Sequence, residues 1–180
     1  MEKKEIIQAA LSVATEKGWS RTSVRAIAEE IEYSTIKIYS DFGSKEGLLQ
    51  EVQRQGFVLL KEEYEAAIRR EETSQEQLIA LTKAHYRFAT DQRIHYELMF
   101  QMNGTNCPTG DKDIMFTTSQ PIRNLIFQLC GRVDRTLFFN WWVIAHGFVT
   151  VLGNDTKIPY HEAETMLSDM ILNFIKAIKS

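Results

Sequence analysis

Between Thr22 and Lys45 the chain carries side chains suited to gripping a polyanion that displays base edges. Thr35 can hydrogen-bond a base edge or touch a thymine methyl, and Lys37 can reach a guanine edge or a phosphate. Ile36 between them can make only apolar contact, which favours thymine, and Ser40 follows one helical turn later. The planar fork of Arg25 suits guanine O6 and N7. Lys45 stands where a helix begins, so its charge and the free backbone N–H groups there can hold one phosphate together. Thr22 and Ser34 can bond phosphate as well as cap helices. Any surface helix with Ser, Thr and Lys shows such types, so order and spacing must carry the reading.

These residues need short helices to present them. The apolar spacing of Ile6, Ile7, Ala10, Leu11 and Ala14 predicts a helix over 3–17, ended by Gly18, with Trp19 closing a small core. Ser23 or Thr22 caps a second helix with Ile27, Ala28 and Ile31 inward. Ser34 caps a third, anchored by Ile38 and Phe42, and Ser44 caps a long fourth helix to about Arg70. Beyond it, Ser74-Gln75-Glu76-Gln77 reads as a capping box opening a helix to about Asp91. Further helices are expected at about Ile94–Gln101, Met115–Cys130, Asp134–Leu152 and Tyr160–Lys179. The segment Met102–Asp113, with Gly104, Pro108 and Gly110, reads as a loop. Pro108, Pro121 and Pro159 are each expected near a helix boundary or start. About nine helices and no strand pattern make the fold all-α.

The order of residues from Thr22 to Leu49 resembles the N-terminal module of the TetR (tetracycline-repressor-like) transcriptional regulators. Thr22-Ser23-Val24-Arg25-Ala26-Ile27-Ala28, Ser34, Ile38-Tyr39-Ser40-Asp41-Phe42 and Ser44-Lys45-Glu46-Gly47-Leu48-Leu49 carry the likeness. It implies a three-helix helix-turn-helix DNA-binding domain over 1–46 and a helical ligand-binding and dimerisation domain over 47–180. It implies that Tyr39 bonds a backbone phosphate and that Arg25 contacts a base or phosphate. Two departures stand out. Glu32 occupies the turn where the family often has glycine, so a differently shaped turn is expected, because positive φ costs a non-glycine residue about 1–2 kcal/mol. Ile36 stands where a small residue or proline is common, which alters the groove fit. A second likeness, Trp142-Val143-Ile144-Ala145-His146-Gly147 with Phe88-Ala89 and Tyr96-Glu97-Leu98-Met99-Phe100, points to a Trp-His-Gly subgroup of ligand domains.

The C-terminal aromatics bury large areas and can line an apolar pocket, although simple core packing accounts for most of them. Tyr86, Phe88, Tyr96, Met99, Phe116, Phe127, Trp141 and His146 are the candidate ligand residues, with the loop at 102–113 bordering the pocket. The last two helices are apolar on more than one side, which one chain cannot cover. Phe138, Trp142, Phe148, Met170 and Phe174 are therefore candidates for a homodimer interface, a four-helix bundle with two-fold symmetry.

Other chemistries find little support. His85, His95, His146 and His161 fall in different elements, and no metal-ligand spacing joins them to each other or to Cys107 and Cys130, so no metal and no disulfide are expected. No phosphate loop, dinucleotide fingerprint or nucleophile elbow occurs, so neither cofactor nor enzyme activity is expected. No apolar run spans a membrane, and the N-terminus enters an amphipathic helix, so a cytoplasmic protein is expected. The net charge of −3 does not exclude a nucleic-acid partner, since phosphate affinity depends on where charge sits. The expectation is a dimeric regulator, a repressor in sign, that binds palindromic operator DNA. A small apolar or amphipathic effector of unspecified identity would release it. The alternative is a helical ligand-binding or interaction protein that has lost operator binding, which the weak basicity, Glu32 and Ile36 keep open.

Overall fold

Residues 3–102, 112–132, 134–152 and 158–179 are described in this computed structural model, and among them nine α-helices and no strand occur. They are α1 (Lys3–Lys17), α2 (Val24–Glu30), α3 (Thr35–Phe42), α4 (Lys45–Ile68), α5 (Ser74–Asp91), α6 (Arg93–Met99), α7 (Lys112–Cys130), α8 (Arg135–Leu152) and α9 (Tyr160–Lys179), with a 3-10 turn at Trp19–Arg21. By packing, the chain divides into two units, Met1–Val58 with Gln92–Met115, and Leu59–Asp91 with Phe116–Ser180. The division expected at 46/47 separates presumed functions, whereas this one follows contacts and groups α6 with the N-terminal helices.

In the first unit, Ile6, Ile7, Ala10, Val13 and Ala14 of α1 meet Ile27 and Ala28 of α2, Ile38 of α3, and Leu48 and Val52 of α4 in one core. Gly18, at φ 75, ends α1 as expected, and Trp19 closes the core. The Trp19 indole Nε1 donates to the Ile94 carbonyl at 2.7 Å, which ties α6 to the 3-10 turn. Gln53 Nε2 of α4 donates to the Leu98 and Met99 carbonyls at 3.3 Å each, satisfying acceptors at the end of α6. At Gly56 the two helices approach so closely that a Cβ would sit 2.6 Å from Met99 Sδ, so only glycine fits without a shift.

In the second unit α5 packs against α8 and α9. Leu78, Leu81 and Ala84 of α5 are buried, as are Trp141 and Ala145 of α8 and Leu167, Ile171 and Ile175 of α9. Polar groups in this interior are paired: Trp141 Nε1 donates to Thr82 Oγ1 at 2.9 Å, and Tyr64 Oη lies 2.6 Å from His85 Nδ1. Desolvation, with the neighbouring His146 second, lowers the His85 pKa to about 3. The imidazole is therefore neutral, and its Nδ1 shares one hydrogen bond with the Tyr64 hydroxyl.

Three expectations need correction. The capping box lies one residue earlier than expected: Thr73 Oγ1 accepts from Glu76 N at 3.2 Å, and Glu76 Oε2 accepts from Thr73 N at 3.1 Å. Glu76 thus serves as N3 where Gln77 was expected, and Ser74 is the first helical residue. Pro121 lies inside α7 and not at a boundary, so the helix runs through it and lacks one backbone donor there. Helix α4 ends at Ile68, α6 covers Arg93–Met99 and α7 starts at Lys112, each a shift of one to three residues at a frayed end. Residues 103–111 of the expected loop, Cys107 among them, lie outside the described residues.

Candidate nucleic-acid interface

Local hydrogen bonds set the helix-turn-helix. Ser23 Oγ accepts from Ala26 N at 3.1 Å and caps α2, which resolves the choice between Ser23 and Thr22. At the other end of α2, Tyr33 N donates to Ala28 O at 2.8 Å and Glu32 N to Glu29 O at 3.2 Å. That is a Schellman closure, and it requires left-handed backbone at its penultimate residue. Glu32 supplies it at φ 53, so the turn keeps the shape glycine would give and carries the strain instead. Ser34 Oγ then accepts from Ile36 N at 3.2 Å and starts α3, while Ile38 is fully buried beneath it.

With Ile38 inward, the outer side of α3 is determined. Ile36 is 76% exposed, Tyr39 50% exposed, and Ser40 and the cap Ser34 are also exposed. Thr35 and Lys37 are half-buried. Lys37 Nζ lies 2.6 Å from Asp41 Oδ1, one turn on, and the Asp41 side chain is only 13% exposed. Arg25 is open to solvent on α2, with Nε 2.9 Å from Glu29 Oε1. An exposed i,i+4 pair of that kind contributes roughly 0.3–0.5 kcal/mol, so Arg25 can exchange Glu29 for another acceptor. Lys45 opens α4 behind the Ser44 cap, whose Oγ accepts from Gly47 N at 3.0 Å, and makes no ion pair among the described residues.

Thr22 is placed differently from the rest. It is 1% exposed and its hydroxyl donates to the Gly18 carbonyl at 3.0 Å, so it braces the turn after α1. Conversely, Tyr33, which sequence reasoning passed over, is 51% exposed beside the α3 cap. Its signal was an aromatic residue directly before the capping serine. Ile36 and Tyr39, three residues apart on α3, thus share an exposed face, Tyr33 is exposed just before its cap, and Arg25, Lys37 and Lys45 lie on α2, α3 and α4. Such a face can touch thymine methyls and sugars while the cations take phosphates.

The candidate ligand residues separate. Tyr96 and Met99 are buried in the first unit, where the Tyr96 ring lies 4.6 Å from that of Phe100. The other six belong to the second unit. There Phe88 and Trp141 are packed in the core, and Tyr86 is buried between Phe148 and Tyr160, with ring distances of 5.3 and 5.4 Å. His146 stacks on Trp142 at 4.8 Å. Phe116 and Phe127 stand more than two-fifths exposed instead of lining an enclosed space.

The interface candidates also divide. Phe148 and Phe174 are buried within a single chain, which corrects the expectation that they face a partner. The reason is that α8 and α9 turn part of their apolar surface onto α5, where Phe148 meets Tyr86 edge-on. Phe138 and Trp142 are half-buried, and Phe138 packs under Arg123 of α7. Met170 remains exposed, and so do Phe139, Val143 and Val151 of α8 and Met166 of α9.

Residues 6–52 match the family model for bacterial regulatory proteins of the tetR family. A search of curated proteins finds no match. Among solved structures, a transcriptional regulator FadR from Bacillus subtilis, in complex with stearoyl-CoA, superposes with a TM-score of 0.78 at 18% identity, covering 96% of this chain and 99% of its own. A TetR family transcriptional regulator PfmR from Thermus thermophilus gives 0.69 at 22% identity, over 93% and 97% of the two chains. A protein of unknown function from a Rhodococcus species gives 0.79 at 19% identity, over 99% and 95%. Residues 6–52 thus carry the match to the tetR-family DNA-binding module, on a chain with the fold of solved TetR-family regulators.

Proposed function

We propose that this chain is a TetR-type transcriptional regulator, a repressor in sign, which binds a two-fold symmetric operator as a homodimer and leaves it when a small apolar or amphipathic effector binds. The observation that carries this reading is the exposure of Tyr33, Ile36 and Tyr39. A complete core lies within the same unit, and three large side chains are left uncovered on and just before a capped helix. In the proposal Ile36, Thr35 and Ser40 face bases, while Tyr39, Ser34 and Lys45 face phosphates. Arg25 and Lys37 change partners from Glu29 and Asp41 to DNA. Thr22 acts from inside, by holding the turn.

Pairing is read from Phe139, Val143 and Val151 on α8 with Met166 and Met170 on α9, the apolar surface that one chain leaves open. Gly147 lies on the same stripe as Val143 and Val151. A Cβ there would meet nothing within the chain, although glycine inside a helix costs about 0.5–1 kcal/mol. A second copy packing backbone to backbone at Gly147 accounts for it. Absence of enzyme activity and a place in the cytoplasm belong to the same reading. The rival, a helical binding protein without an operator, is favoured by the internal pairing of Arg25 and Lys37.

The deciding experiment is selection of bound duplexes from random and genomic DNA. The expected result is one enriched motif with two half-sites about one helical turn, ~34 Å, or a small multiple apart. Failure to enrich any motif would establish the rival.

A further inference from the structure

Helix α7 and the start of α8 flank a partly open recess of about 300 Å³ lined by Arg123, Ile126, Asp134, Arg135 and Phe138, all within the second unit. That volume lies at the lower end of the usual range for small-molecule sites, ~300–1,000 Å³. We propose that the recess is a binding site for a small organic monocarboxylate, held by Arg123 and Arg135 with its apolar body against Ile126 and Phe138.

Arg123 is set up for this. Its guanidinium carbon lies 4.5 Å from the Phe138 ring centroid and 5.1 Å from that of Phe116. Aromatic contacts use the faces of the guanidinium and leave its edge to hydrogen-bond in plane. Its Nε is taken by Ser119 Oγ at 3.2 Å. The terminal N–H groups make no ion pair among the described residues. A carboxylate meets such an edge with two parallel hydrogen bonds.

Arg135 adds a second cation at the start of α8. It is the first residue of α8, where the helix dipole disfavours positive charge, and α8 has no acidic residue in its first turn. It too makes no ion pair among the described residues. Asp134 lines the same recess and caps α8, its Oδ1 accepting from Thr136 N at 2.7 Å. Among the described lining residues, two arginines against one aspartate leave a single positive charge, which suits a monoanion better than a phosphate dianion. Ile126, almost fully buried, and the half-buried Phe138 supply the apolar wall.

The inference stands apart from the operator reading, because binding here is measured on the protein without DNA. The probes are sodium benzoate and sodium hexanoate, with benzamide as the uncharged counterpart of benzoate, titrated into the full chain and followed by NMR. Both carboxylates are expected to bind, and benzamide at least tenfold more weakly than benzoate. Arg123→Gln should lower benzoate affinity about tenfold, as loss of a paired charge-assisted contact does. Arg135→Gln, on the surface and outside the aromatic stack, should lower it severalfold with unchanged helicity. It carries the test if the Arg123 variant folds poorly. Equal affinity for benzoate and benzamide, equal affinity in wild type and the folded variants, or no carboxylate binding at ~10 mM would overturn the assignment.

Discussion

At the scale of single residues, Ile36 and Lys45 make separable predictions. A methyl group buried on binding is worth roughly 0.8 kcal/mol, about a fourfold change in affinity. Replacing with deoxyuridine the thymine that meets Ile36 in one half-site of the selected operator should therefore weaken wild-type binding about fourfold. The same replacement should leave Ile36→Ala unaffected, because that variant lacks the side chain that touches the methyl. Lys45→Ala and Tyr39→Phe should instead weaken binding equally on all operator variants, since phosphate contacts carry no base information. Band-shift titrations on single-base variants separate these outcomes. His85 predicts a pH effect. Burial holds its pKa near 3 in the folded chain, below the ordinary histidine value of 6.5. Between those values the unfolded state binds the extra proton. Stability from this group is therefore complete above pH 6.5 and falls as pH drops toward 3, at up to ~1.4 kcal/mol per pH unit. Denaturant melts of His85→Phe from pH 7 to 4.5 should show a shallower acid loss than wild type. An unchanged slope would assign the loss to other groups, His146 and His95 among them, whose pKa values burial also lowers.

At the scale of elements, the turn between α2 and α3 stores strain that a substitution can release. Glu32 holds φ 53 to complete the closure on Ala28 and Glu29, so Glu32→Gly should stabilise the first unit by about 1 kcal/mol. Thermal melts read this directly, and a destabilised variant would mean that the Glu32 side chain makes a compensating contact. The turn also shows what was legible in the sequence. Serine caps at 23, 34 and 44 were readable because a side-chain oxygen at a helix start has one local role. The conformation of Glu32 was not, since nothing in a glutamate announces positive φ. The capping box slipped by one because Thr73 with Glu76 and Ser74 with Gln77 fit the same pattern, and only the observed hydrogen bonds decide between them. Phe148 and Phe174 were misplaced for a different reason. Helices apolar on several sides show that partners exist, but not which stripe faces α5 within the chain and which faces outward. Tyr33 was missed because an aromatic residue next to a cap reads equally well as buried or exposed.

At the scale of the whole molecule, association and folding should be separable by the depth of the residue changed. Val143 is 54% exposed and lies on the stripe with Gly147 and Val151, whereas Phe174 is 8% exposed within one chain. A charge at Val143 costs nothing while that surface meets water. Once a second copy covers it, the charge is desolvated without a partner, and association weakens by several kcal/mol. Val143→Glu is therefore expected to sediment as a monomer with unchanged helicity and an intact first unit. Gly147→Leu should act similarly, by filling the space a partner backbone needs. Phe174→Glu places its charge inside the second unit, so it should lower the melting temperature and expose apolar surface whatever the state of association. A monomer made by Val143→Glu would also lose the gain in affinity that comes from linking two reading heads, which can exceed a hundredfold. The expected result is operator binding weakened by that order, with unchanged preference among half-site variants, because each head still carries its own base-facing Thr35, Ile36 and Ser40. If Val143→Glu remains a dimer at micromolar concentration, the pairing surface lies elsewhere, and Phe116 and Phe127 on α7 become the next exposed side chains to charge.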